Sequence, residues 1–102
     1  MPLTPEQKKQ YKSIGHHLKP VLIVAENGLS EGVANELERA LGDHELIKIK
    51  VNILDREERL ETITQLCQAG RAELVQVIGK MALIYRKNPQ PNKQLSNIHR
   101  FH

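Results

Sequence analysis

The sequence predicts an α/β two-layer domain of the α+β kind: an N-terminal helix, then β-α-β-α-β-β with a mixed four-stranded sheet. Three observations predict it. Apolar side chains recur at helical spacing in three segments, each opened by a capping residue and closed by Pro or Gly. Short, partly β-branched runs alternate with those segments, and two β-α-β units imply parallel strands with right-handed crossovers. The last two strands are separated by little more than Gly79-Lys80, so they close as a hairpin and make the sheet mixed. A chain of 102 residues fits one such domain and leaves little room for a second.

The elements follow in chain order. Thr4-Pro5-Glu6-Gln7 opens the first helix: Thr4 caps, Pro5 suits the first helical position and Gln7 completes a capping box. Tyr11, Ile14 and Leu18 form its stripe, and Pro20 stops it. Val21 to Val24 is apolar on both sides, which predicts a short buried strand. Asn27-Gly28 is a turn signal. Ser30 caps the second helix, Val33, Leu37 and Leu41 recur every fourth residue, and Gly42 stands where a helix C-terminal glycine belongs.

Ile47, Ile49, Val51 and Ile53 alternate with Lys48, Lys50 and Asn52. Period two predicts a strand with one buried face and two lysines on the other. Asp55 caps the third helix, whose first turn is acidic; Leu60, Ile63 and Cys67 make its stripe and Gly70 ends it. Leu74 to Ile78 and Leu83 to Tyr85 complete the strands. Residues 1–87 thus make a single domain. Residues 88–102, polar and carrying Pro89 and Pro91, predict a basic, flexible C-terminal tail.

Apolar residues make up 39% and charged residues 26%, the balance of a soluble globular protein. The longest apolar run, Val21 to Ala25, is too short to span a bilayer. No signal segment opens the chain, and the single Cys67 cannot form an internal disulfide, so a reducing, cytoplasmic setting is expected. The net charge is +3, but its distribution is uneven: residues 1–20 carry +3, 21–47 carry −5, 48–50 carry +2, 51–78 carry −2 and 79–102 carry +5. If the two basic ends meet in space they make a patch that attracts phosphate backbones. Charge alone fits a solvated lysine-rich surface equally well.

Three stretches carry a resemblance: L-K-P-V-L-I-V-A-E-N-G-L-S-E-G-V (18–33), H-E-L-I-K-I-K-V (44–51) and V-Q-V-I-G-K-M-A-L-I-Y-R (75–86). In this order and spacing the chain resembles the CRM domain, the chloroplast RNA splicing and ribosome maturation module, in its free-standing bacterial YhbY-like form. The resemblance covers roughly residues 3–87. It implies a fold like the C-terminal domain of translation initiation factor three. It also implies binding to structured RNA and association with ribosomal RNA of the large-subunit precursor, in aid of ribosome assembly. Members carry a G-x-x-G loop after the first strand, likened to the phosphate clamp of KH domains. The matching residues here are Ala25-Glu26-Asn27-Gly28, with the first glycine replaced and a carboxylate inside the loop.

The candidate RNA-binding residues are therefore Lys12, Lys19, Asn27, Gly28, Lys48, Lys50, Lys80, Tyr85 and Arg86. Gly28 before the cap Ser30 lets an anion approach free N–H groups at a helix start, although Glu26 and Glu31 oppose it; the same residues also fit a plain tight turn. Lys48 and Lys50 lie roughly 6–7 Å apart along one strand face, a spacing that suits neighbouring phosphates and equally a solubilised sheet. Arg86 can fork onto a phosphate. Tyr85 is a single stacking candidate and just as much a packing residue. With Tyr11, Tyr85 and Phe101 the only aromatics, no multi-aromatic base platform can form, so phosphate, backbone and shape recognition is expected.

Other chemistry finds no support. His16-His17, His44, His99 and His102 offer no third ligand at a telling spacing, Cys67 sits on an apolar stripe, and no G-x-x-x-x-G-K motif is present. No catalytic residue, cofactor, metal or small-molecule substrate is expected, nor a membrane partner, and the module is expected to be a monomer. The competing reading is a protein–protein adapter that contacts basic ribosomal proteins through the acidic second helix, with Glu31, Glu36 and Glu38.

Overall fold

The computed structural model describes residues 2–99. Its elements are α1 (Pro5–Gly15), β1 (Pro20–Val24), α2 (Glu31–His44), β2 (Leu46–Val51), α3 (Arg56–Gly70), β3 (Glu73–Ile78) and β4 (Met81–Tyr85). The three caps are in place. The Thr4 hydroxyl accepts from Gln7 N–H at 3.1 Å while the Gln7 side chain accepts from Thr4 N–H at 3.0 Å. Ser30 accepts from Val33 N–H at 3.2 Å, and Asp55 from Glu57 N–H at 2.9 Å.

The sheet order is β1-β2-β4-β3. β1 and β2 pair in parallel, and β4 lies antiparallel between β2 and β3. So β2-α3-β3 is a split unit: its strands run the same way, but the hairpin partner of β3 fills the gap between them. Alternation then sorts the side chains. Ile47, Ile49, Val51, Ala82, Ile84 and Val24 meet Leu37, Leu41, Ile63 and Leu66 of α2 and α3 on one face. On the other face α1 adds a partial layer, with Tyr11 and Ile14 against Leu46, Val75 and Leu83. Gly15 permits this approach, because a Cβ there would lie 2.6 Å from a methyl of Leu83.

Three expectations are corrected, and a fourth, the end of α3, holds with a different role for its glycine. α1 ends at Gly15 rather than at Pro20, and Pro20 opens β1 opposite Lys48. α2 runs past Gly42 to His44, and Glu45 takes the positive φ of 62°. α3 does end at Gly70, but Arg71 takes the left-handed turn; Gly70 serves packing, since a Cβ would lie 2.7 Å from Leu41. β1 is an edge strand whose Val21 and Ile23 are exposed, so it is buried on one face only.

The expected mobile tail also reads differently. Ser96, Asn97 and Ile98 are buried, the last within the α1 core. The cause is Glu45, a buried carboxylate that needs donors. Ser96 Oγ donates to it at 2.9 Å and Asn88 N–H at 3.1 Å. Asn97 Nδ2 donates to the Leu46 carbonyl at 2.6 Å, and His44 Nδ1 bonds the Leu95 carbonyl at 2.9 Å. The polarity of this stretch matches a buried acid. Phe101 and His102, and with them the His99–His102 pair, lie outside the described residues.

Candidate nucleic-acid interface

α1 covers only part of its sheet face. At its C-terminal end the chain turns through His16, His17 and Lys19 to β1, and the sheet beyond is open. Two lateral rows of side chains occupy it. Register places Ile23, Lys50, Met81 and Ile78 in one row across all four strands. At the usual strand spacing that row spans roughly 14 Å. The next row holds Lys48, Leu83 and Gln76, with Val21 beside Lys48. Ile23 is 63% exposed, Ile78 57% and Val21 47%.

The face has one sign of charge. Lys48 and Lys50 stand in its middle, and Lys19 joins Lys48 with His17 and His44 around a depression of about 300 Å³. Lys12 lies one turn before His16 on the same flank of α1. Among the described residues no strand position of the open half is a carboxylate. Glu73, on the same face, is at the covered end, where it accepts from Leu3 N–H at 2.8 and 3.0 Å. The exposed acids Glu31, Glu36, Glu57, Glu58 and Glu61 sit on α2 and α3, in the opposite layer.

The rim is where β1, β2 and the β3–β4 hairpin end together. Asn52 N–H donates to the Val24 carbonyl and Val51 N–H to the Lys80 carbonyl, both at 2.7 Å. Lys80 Nζ donates to Asn52 Oδ1 at 3.2 Å, which holds its charge at the rim. The Ala25–Gly28 turn leaves β1 here, closed by Gly28 N–H to the Ala25 carbonyl at 2.9 Å. Gly28 has φ +67°, and a Cβ there would meet nothing within 4 Å, so glycine serves the backbone angle and leaves room for an approaching group. Exposed Glu26 in the same turn opposes an anion.

Lys12, Lys19, Asn27, Gly28, Lys48, Lys50 and Lys80 therefore border or occupy one face and its rim. Arg86 and Tyr85 do not join them. Arg86 leaves β4 at the far end and toward α2, where Glu38 and the Gly70 carbonyl hold it. Tyr85 packs tilted against Tyr11, with ring centroids 4.9 Å apart and planes at 43°, beneath α1. Burial, with Tyr11 and Glu45 adding, pushes its phenol well above the usual range. Cys67 is a packing residue whose thiol burial pushes up to about 11. Among the described residues no group of three or more His, Cys, Asp and Glu could hold a metal, and no helix is long and apolar enough to cross a membrane.

Sequence reasoning missed His16, Gln76, Val21, Ile23 and Ile78 as members of this face. For Val21 and Ile23 a signal existed: alternate members of an apolar run face opposite ways, and only one side of an edge strand under helices is covered. Gln76 and Ile78 depend on the β3–β4 register, displaced between Leu74 and Gln76.

Comparisons with known proteins converge. The family model of the CRS1 / YhbY (CRM) domain matches residues 3–86. The chain is 69% identical over 101 residues to a Pseudomonas aeruginosa protein named "Probable RNA-binding protein PA4753", covering 99% of this chain and 97% of that one. It is 42% identical over 93 residues to an "RNA-binding protein" of Haemophilus influenzae, covering 91% and 94%. A solution structure from Staphylococcus aureus, titled "a putative RNA binding protein", superposes with a TM-score of 0.77 at 34% identity, over 87% of this chain and 93% of that one.

Proposed function

This chain belongs to the CRS1/YhbY (CRM) domain family, and we propose that it is a cytoplasmic RNA-binding protein that docks as a monomer on ribosomal RNA of the large-subunit precursor and assists its assembly. One observation carries the reading: cations gather on an open sheet face and its rim, while the exposed acids of α2 and α3 lie in the opposite layer. Such segregation orients the molecule in the field of a polyanion before contact. Lys12, Lys19, Lys48, Lys50 and Lys80 neutralise phosphates, and the Asn27-Gly28 turn lets a backbone approach. Arg86 and Tyr85 have structural roles instead. The names of the relatives support RNA as the partner; the resemblance in the three sequence stretches supports the large-subunit precursor.

Crosslinking and sequencing in cells, combined with sucrose-gradient fractionation, tests the reading. The expected result is RNA crosslinks at Lys48 and Lys50 in fractions that carry large-subunit precursors. Crosslinks confined to proteins at Glu31 and Glu36 of α2 would replace it with the adapter reading.

A further inference from the structure

The open face is not only cationic. Ile23 and Ile78 are mostly exposed β-branched residues at the two ends of a row whose centre holds Lys50 and Met81. Between this row and the end of α1 lies a hollow of about 110 Å³, lined by Gly15, His16, Lys48, Gln76, Ile78 and Met81, with Leu83 as part of its floor. Its chemistry is mixed: an apolar floor and wall, one amide, one imidazole and one ammonium. Among the described residues the Gln76 side-chain amide has no protein hydrogen-bond partner.

A base-paired RNA helix does not match this surface. It offers phosphates and 2′-hydroxyls to a protein, and nothing apolar to cover Ile23 and Ile78. An unpaired nucleotide matches the hollow at the Ile78 end of this row. Its base has an apolar face for Ile78 and Met81 and edge donors and acceptors for Gln76 and His16, while its phosphate meets Lys48. Aliphatic side chains here replace the aromatic platform that the composition denies.

We propose that the hollow between the end of α1 and the β3–β4 hairpin seats an unpaired base, so that the RNA segment taken by this face is single-stranded, with Lys48 and Lys50 on its phosphates. This rests on the RNA-binding reading and specifies the class of RNA.

The test is fluorescence anisotropy with two labelled probes: a single-stranded 12-nucleotide RNA and a blunt RNA hairpin closed by a non-nucleotide linker, so that all its bases are paired, with the same number of phosphates. The parent is expected to bind the single strand at least roughly tenfold more tightly. Gln76→Ala with Ile78→Ser is expected to weaken the single strand by about tenfold, leave the hairpin unchanged and leave the salt slope unchanged, because no phosphate contact is lost. Ile78→Ser alone, at an exposed site, provides a variant whose folding circular dichroism can check. Equal affinity of the parent for the two probes, or parental single-strand affinity in both variants, overturns the proposal while the RNA reading stands. Salt-dependent binding to neither probe removes both. Parent self-association abolished by Ile78→Ser in sedimentation velocity, with RNA affinity untouched, assigns the face to a second copy and overturns it.

Discussion

Arg86 and Glu38 form a two-point ion pair between the end of β4 and α2, with Nη2–Oε2 at 2.6 Å and Nη1–Oε1 at 3.0 Å. The same guanidinium donates from Nη1 to the Gly70 carbonyl at 3.0 Å, so one side chain ties β4, α2 and the end of α3. Glu38 is 57% exposed, which limits the ion pair; the part-buried bond to Gly70 and the packed stem of Arg86 supply most of the stabilisation. Arg86→Met is therefore expected to destabilise the fold by about 1–2 kcal/mol. Its RNA affinity should equal the parent's once the fraction folded is matched. Urea unfolding and anisotropy measure the two quantities on one sample.

The same pair sets a pH dependence. The Arg86 hydrogen bond holds the Glu38 carboxyl below its ordinary value of 4.5, helped by the charges of Arg86 and Arg71 and partly opposed by desolvation. A carboxyl lowered in the folded state stabilises it fully above the unfolded value. That contribution is lost as pH falls through the lower folded value. Glu38→Gln is expected to be less stable than the parent near neutrality and to lose less stability on acidification below about 4.5. Urea midpoints from neutral to acid pH give the comparison; parallel profiles would contradict the assignment.

Glu45 and the 88–99 segment stabilise each other. Glu45 is 2% exposed, accepts from Ser96 Oγ and Asn88 N–H, and lies 3.5 Å from His99 Nε2. Its backbone also sits at positive φ, which glycine adopts without cost. Glu45→Ala strands the buried Ser96 hydroxyl and should cost about 3 kcal/mol. Ser96→Ala should cost about 1 kcal/mol, and the pair should be non-additive because both remove one bond. Glu45→Gly should be more stable than Glu45→Ala if relief of the backbone angle outweighs glycine's added chain entropy. Thermal unfolding of the four variants separates the carboxylate from the backbone.

The sequence was most legible where the physics is local. Thr4, Ser30 and Asp55 cap the helices they were expected to cap, and Lys48 and Lys50 share the uncovered face that alternation assigns them. It was least legible where a residue's role depends on a distant partner. Arg86 reads as a phosphate fork until Glu38 and Gly70 are seen beside it, 48 and 16 positions away in the chain. Residues 88–99 look solvated because nothing nearby shows that Glu45 is buried and short of donors. Gly42 looks like a helix stop, yet the turn is made at Glu45, held there by that later segment.

Lys48 and Lys50 provide the quantitative check on the electrostatic reading. Both project from β2 onto the open face, and neither has a carboxylate among its cross-strand partners Leu83 and Met81. Among the described residues no cross-strand neighbour therefore competes with a phosphate across that pair, in contrast with Arg86. Each phosphate neutralised on a nucleic acid contributes roughly 0.7–0.9 to the slope of log affinity against log salt. Lys48→Ala with Lys50→Ala is thus expected to reduce the slope by about 1.4–1.8 and to leave the unfolding midpoint close to the parent's, since neither lysine faces a carboxylate across the strands. Anisotropy titrations between low and moderate salt yield the slope directly. An unchanged slope would mean that the phosphates lie elsewhere, and the rim formed by Lys80 and the Asn27-Gly28 turn would then have to carry the contact despite Glu26.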